Sequence, residues 1–194
     1  IHWHALGKAF RKYQAGKQCW LVKHSTGQCG VGRMHLRRKY HEHSQCPRCG
    51  QEDETTQHVL QCTAPSADIQ WKIRIKTLEV WLTNNHTPSY LQCAILQRLQ
   101  EWRNSTPKKP IFGPASIKII ITRQDKIGWW SFLLGRVDES FESCMDDHFE
   151  SKKQRNKGRP WLSNLITQLW NLQFNMWEHR RSEEHRLNSS HDQR

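Results

Sequence analysis

Cys46-Pro47-Arg48-Cys49-Gly50-Gln51-Glu52-Asp53-Glu54-Thr55-Thr56-Gln57-His58-Val59-Leu60-Gln61-Cys62 is the stretch of this chain from which the rest is most readily understood. Two cysteines separated by two residues form a knuckle, a tight turn that points both sulfurs at one ion, and Pro47 and Gly50 suit such a turn. Asp53, Glu54 and Thr55 read as a helix start. His58 and Cys62 then stand at i and i+4, on one face of that helix. Three thiolates and one imidazole make a closed tetrahedral set with no position left for water, the pattern of structural rather than catalytic zinc. The expected geometry has sulfurs ~2.3 Å and a ring nitrogen ~2.0 Å from the ion, with the four donors within ~4 Å of one another. Three thiolates and Zn²⁺ leave about one negative charge, which Arg48 and Lys39 are placed in sequence to offset. Residues 51–57 are all polar and cannot fold by burial. Structural zinc in small peptides contributes on the order of 10 kcal/mol of apparent binding free energy, enough to order such a segment.

The remaining cysteines, Cys19, Cys29, Cys93 and Cys144, are scattered, and seven is an odd number. With no apolar leader visible, a reduced, intracellular protein (nucleus and/or cytoplasm) with one metal site is expected, not a disulfide framework. His41 and His43 near the knuckle are alternative ligands, though solvated or phosphate-facing roles suit them better. The chain has 194 residues, one domain or a domain with appendages by length, and it begins with Ile1, which reads as a piece of something longer. Thirty Lys and Arg against 18 Asp and Glu give a net charge of +12. Apolar residues are only 36%, but ten Trp and six Phe supply large buried area, which argues against a disordered basic tail. No apolar run approaches the ~20 residues of a membrane helix, so no membrane partner is expected.

Outward from the knuckle the pattern is helical. Residues 3–15, around Trp3, Ala5, Leu6, Ala9 and Phe10, read as a basic helix. Residues 19–43 are strongly basic, broken by Gly27, Gly30 and Gly32, with one short helix over 33–42. Trp71, Ile75, Leu78 and Trp81 or Leu82 share a helical face that ends at Asn84, Asn85 and Pro88. Thr87-Pro88 starts the next helix, striped by Leu91, Ile95, Leu99 and Trp102. Residues 104–114, with three Pro and one Gly, read as a linker. Ile117-Lys118-Ile119-Ile120-Ile121 is ambiguous by periodicity; continuation through Gln124 and Ile127 without turn signals favours a helix. Residues 152–160 read as a basic loop. Trp161, Leu165, Leu169, Leu172, Met176 and Trp177 mark an amphipathic helix. The expected fold is mostly α, an irregular multi-helix array with a small zinc knuckle. Its segments are a basic helical region (1–45), the knuckle (46–62), a helical pair (63–103), the linker (104–114), a C-terminal helical region (115–180) and a tail (181–194).

The knuckle resembles the zinc-binding segment that follows the polymerase domain in non-LTR retrotransposon reverse transcriptases. Flanking motifs agree: Thr26-Gly27-Gln28-Cys29-Gly30-Val31-Gly32, Ile127-Gly128-Trp129-Trp130 and Met176-Trp177-Glu178-His179-Arg180 are similar to reverse-transcriptase-like proteins of diatoms and other algae. The resemblance covers about residues 1–180. It implies zinc ligands at Cys46, Cys49, His58 and Cys62, a parent RNA-directed DNA polymerase with its core upstream in the same chain, and a role in holding RNA or target DNA, with no catalytic carboxylates here. Residues 181–194, from Arg181-Ser182-Glu183-Glu184 onward, depart from the pattern and resemble a translated short-read sequencing adapter. They hold three basic and three acidic residues, so the +12 belongs to 1–180.

Cys144-Met145-Asp146-Asp147 invites comparison with the Asp-Asp hairpin of polymerases. Such a pair binds two metals only on a hairpin beside a third carboxylate. The polar flanks here read as a helix with Phe141, Met145 or Cys144, and Phe149 as its apolar stripe, so no catalytic residues are assigned. Two basic clusters, Arg33, Arg37, Arg38 and Lys39 with the neighbouring Arg48, and Lys152, Lys153, Arg155, Lys157 and Arg159, are the candidate nucleic-acid contacts. Most Trp, at helical spacing, are expected in the core. The expected function is zinc-stabilised binding of RNA or DNA without catalysis by this region. The alternative is a structural or protein-interaction appendage docked on the polymerase core.

Overall fold

The computed structural model describes residues 1–51, 53–154 and 157–191, with side chains as far as Glu184. Among the described residues there are ten helices and no strand. In chain order they are α1 (Trp3–Phe10), α2 (Ala15–Ser25), α3 (Gly32–Arg37), α4 (Thr56–Gln61), α5 (Pro65–Asn84), α6 (Ser89–Arg103), α7 (Ala115–Ile127), α8 (Trp129–Leu133), α9 (Ser140–Ser151) and α10 (Gly158–His191). The mostly helical class read from sequence is the observed one.

The chain forms two units, each assembled from segments distant in sequence: residues 1–14 with 75–171, and residues 15–74 with 172–194. In the first unit, Leu91, Ile95 and Leu99 of α6 are fully buried, the stripe expected from their spacing. The isoleucine run is helical: Ile117, Ile120 and Ile121 face the core while Ile119 is exposed, the alternation of a 3.6-residue period and not of a strand. Gly128, at φ 93°, lets the chain turn from α7 directly into α8. Residues 106–114 have no regular secondary structure. The Asp146-Asp147 pair lies on α9, whose Phe141, Met145 and Phe149 are buried. Asp146 accepts a hydrogen bond from the Gly158 N–H (2.8 Å) at the start of α10.

The second unit carries the Cys/His segment. Helix α2, unexpected from the sequence, buries Trp20, Leu21 and His24. The Trp20 ring stacks on His24, with centroids 4.7 Å apart, and meets Phe174 edge-on at 4.9 Å. The short helix expected at 33–42 is shorter, ending at Arg37. Its C-terminal turn is a Schellman motif: Tyr40 N–H donates to His35 O and Lys39 N–H to Leu36 O, both 2.9 Å, with Lys39 left-handed at φ 60°. Val31 and Met34 of this region pack with Val59 of α4 and Trp177 of α10. Helix α10 continues through residues 181–191, beyond the helix expected to end near Trp177. Of the ten Trp, only Trp3 is exposed.

Candidate metal centre

The knuckle is built by its own backbone. Gly50 N–H donates to Cys46 O, and Cys46 N–H to Gln51 O, each 2.9 Å. Gly50 sits at φ 71°, where a residue with a Cβ is strained. The opposite pair of donors comes from α4, six residues that would not form a helix in isolation. Thr55 caps it, its Oγ1 accepting from His58 N–H at 3.0 Å. Cys62 ends it as the C-cap residue. His58 is thus fixed at the first turn and Cys62 just past the last, which brings both side chains back towards the knuckle.

The four donor atoms of Cys46, Cys49, His58 and Cys62 lie within 4.8 Å of one another. Cys46 Sγ and Cys62 Sγ are 3.9 Å apart, and Cys49 Sγ and His58 Nε2 are 3.4 Å apart. Zinc–sulfur and zinc–nitrogen bonds of about 2.3 and 2.0 Å give tetrahedral edges of about 3.8 and 3.5 Å. Those two edges already match, while the 4.8 Å limit on the whole set is looser than the ~4 Å expected. Cys46 and Cys62 are buried and pack against Ala64 and Ala67. The hydrogen bond between the two thiols, then burial, pushes Cys46 up to about 12, while the same bond lowers Cys62. Among the described residues this is the one group of three or more potential ligands suited to a metal ion, and His41 and His43 take no part in it. All seven cysteines are free, with no disulfide.

Glu54, between the two halves of the ligand set, is fully buried. Arg180 of α10 donates to it through Nε (2.9 Å) and Nη2 (2.5 Å), and Gly32 N–H donates at 2.7 Å. The Glu54 backbone is also engaged: its O accepts from Arg33 N–H (3.1 Å) and its N–H donates to Ser44 O (2.8 Å). Burial opposes the Arg180 charge, but hydrogen bonding and the charge of Glu54, with a further contribution from Glu184, hold its pKa above the ordinary value. Gly32 is obligatory for this approach, because a Cβ there would lie 2.3 Å from Ser44 O. In sequence Glu54 reads as part of a helix start and Gly32 as one of the glycines that break the basic stretch; the ion-pair partners are 126 residues apart, and no local pattern links them.

The candidate nucleic-acid residues divide. Arg37, Arg38, Lys39, Lys152, Lys153 and Lys157 are exposed. Arg33 and Arg159 are also exposed but paired, with Asp53 and Glu142 respectively. Arg155 lies outside the described residues. Arg48 departs from the expectation: its side chain is 1% exposed. It bonds Met176 O (3.2 Å), His179 Nδ1 (2.9 Å) and Glu183, all on α10. A guanidinium used in this way is not available to a phosphate, so Arg48 is a packing residue between the knuckle and α10. Clusters 33–39 and 152–159 fall in different units.

These features define a class: an all-helical protein, among its described residues, carrying a Cys₃His cluster able to hold a metal ion. Beyond the class, comparison with known proteins adds no family: no family model, curated protein or solved structure matches the chain. No described helix is long and apolar enough to cross a membrane.

Proposed function

We propose that Cys46, Cys49, His58 and Cys62 hold a structural zinc ion in the nucleic-acid-binding C-terminal region of a mobile-element RNA-directed DNA polymerase, a region without catalysis of its own. The observation that carries the reading is the donor set: three sulfurs and one imidazole nitrogen within 4.8 Å of one another. Soft thiolates with one imidazole favour zinc over magnesium or calcium, and four protein donors leave no site for a reacting water. The exposed cations Arg37, Arg38, Lys39, Lys152, Lys153 and Lys157 supply phosphate contacts. The resemblance of the knuckle and its flanks to non-LTR retrotransposon reverse transcriptases supports that parentage, and the seven free cysteines suit an intracellular parent, nuclear or cytoplasmic.

The burial of Arg48 removes one candidate phosphate contact, which leaves room for a second reading, a structural appendage that docks on the polymerase core. Metal analysis of the purified chain tests the first part: one zinc per chain is expected, with cobalt substitution giving the intense visible bands of tetrahedral thiolate ligation. Loss of the bands in C46S/C62S is expected, and a full metal complement in that variant would refute the ligand set. Binding to RNA and DNA oligonucleotides over a salt series tests the second part. Affinity falling steeply with salt supports nucleic-acid binding. No binding at micromolar protein in low salt would leave the docking appendage as the reading. Divalent-metal-dependent cleavage abolished by D146N/D147N would overturn the non-catalytic assignment.

A further inference from the structure

The turn that ends α3 holds an aromatic ring in solvent beside the exposed cations Arg37, Arg38 and Lys39. Tyr40 is 67% exposed. Its position is set by the Schellman motif, in which Tyr40 N–H is bonded to His35 O at 2.9 Å. The ring leans on His35, with centroids 6.1 Å apart, and His35 is stacked on His41 at 4.8 Å with 23° between planes. His43 extends the series at 6.0 Å from His41. Lys39, beside Tyr40, takes φ 60°, a left-handed conformation that glycine would adopt at lower cost. The sequence therefore places a cation where backbone strain alone would select against it. Arg37, Arg38 and Lys39 are exposed, and none is in an ion pair among the described residues, whereas nearby Arg33 is paired with Asp53.

We infer that this turn is a contact for unpaired nucleotides, with Tyr40 stacking on a base while Arg37, Arg38 and Lys39 take the adjoining phosphates. The inference rests on the nucleic-acid reading above and narrows it to single strands. A base in a duplex already has both faces stacked, and a lone exposed ring has nothing to offer it. An unpaired base gains a partner in any sequence, because every base has a π-face. The turn is also anchored. The N-terminus of α3 receives Glu54 at Gly32 N–H and Arg33 N–H, so the metal-binding loop holds the helix whose other end carries Tyr40.

The test uses the zinc-loaded full chain with fluorescent oligo(U), oligo(dT) and a mixed-sequence duplex of equal length, measured by anisotropy over a salt series. Tyr40→Ala is expected to weaken single-strand binding by about 5- to 150-fold, the range of one lost base–aromatic stack. Duplex binding and the salt slope should stay unchanged, and Tyr40→Phe should retain wild-type affinity. Replacing Arg37, Arg38 and Lys39 together with Gln is expected to lower the salt slope on single strands by about 2, three contacts at ~0.7 each. A larger loss on oligo(U) than on oligo(dT) identifies RNA as the partner, and the reverse identifies DNA. If wild type binds single strands and Tyr40→Ala binds them equally well, the stacking assignment is overturned while nucleic-acid binding stands. If wild type binds none of the probes at low salt, the underlying reading fails and takes this contact with it.

Discussion

Arg180→Met is the sharpest structural perturbation available in this fold. Arg180 and Glu54 have side-chain exposures of 1% and 0%, joined by bonds of 2.9 and 2.5 Å. Removing the guanidinium leaves a carboxylate out of water with the Gly32 backbone N–H still donating to it, and breaking a buried pair from one side costs about 3–5 kcal/mol. Neutralising both partners should cost far less. In E54Q/R180M the amide oxygen still accepts from Gly32 N–H and no charge is buried, so the second substitution is expected to recover most of the loss. With a urea slope of roughly 2 kcal/mol per molar, R180M should lower the unfolding midpoint by about 2 M. The measurement is urea denaturation of the zinc-saturated chain by circular dichroism, read as a double-mutant cycle. Repeating the cycle in E184Q removes the other ion pair of Arg180. An R180M cost under about 1 kcal/mol, or a double variant less stable than R180M, would refute the reasoning.

Burial lowers His24 from 6.5 to about 4, partly opposed by its bond to Gln173. The unfolded chain takes up that proton below about 6.5 and the folded chain only near 4, so stability is complete above 6.5 and falls with pH by up to about 3 kcal/mol; H24N should flatten this part of the acid-denaturation curve. Gly32→Ala should cost several kcal/mol in thermal denaturation, because its Cβ would meet Ser44 O at 2.3 Å. Gly16→Ala, on α2 with nothing within 4 Å, should instead stabilise by up to about 1 kcal/mol.

What could be read from the sequence was whatever depends on spacing. The ligands at C-x₂-C and H-x₃-C spacing lie together because knuckle and helical turn are local geometries. The stripes of α5 and α6 followed from 3.6-residue periodicity. Helix α2 was hidden because its glycine and polar residues blur the apolar face that Trp20, Leu21 and His24 supply. The extent of α3 was overestimated because Lys39, a helix-compatible residue, occupies the left-handed position where glycine would have announced the end. Arg48 was misplaced for a different reason. A basic residue in a basic neighbourhood reads as surface, and only α10, well over a hundred residues later, shows what its guanidinium holds. Glu54 and Arg180 share that logic: long-range ion pairs leave no trace in local pattern.

The metal-binding loop has no apolar residue between Gly50 and Val59, so its order depends on polar devices, each acting on a different neighbour. The four candidate ligands bring the knuckle and α4 together. Thr55 caps α4, and Glu54 reaches both α10 and α3. Two N–H groups at the start of α3, those of Gly32 and Arg33, are satisfied by this loop. A six-residue helix that loses such partners has little to hold it, since isolated helices of this length are not stable. Removing the proposed ion should therefore loosen α3 although α3 contributes none of its candidate ligands. Chelation followed by hydrogen exchange tests this directly: amides of residues 32–40 should lose protection together with those of 44–62. Helices α6 and α7, which belong to the other unit, serve as the internal control. Unchanged protection of α3 after complete metal removal would show that Val31, Met34 and Trp177 hold it by packing alone and that Glu54 transmits nothing.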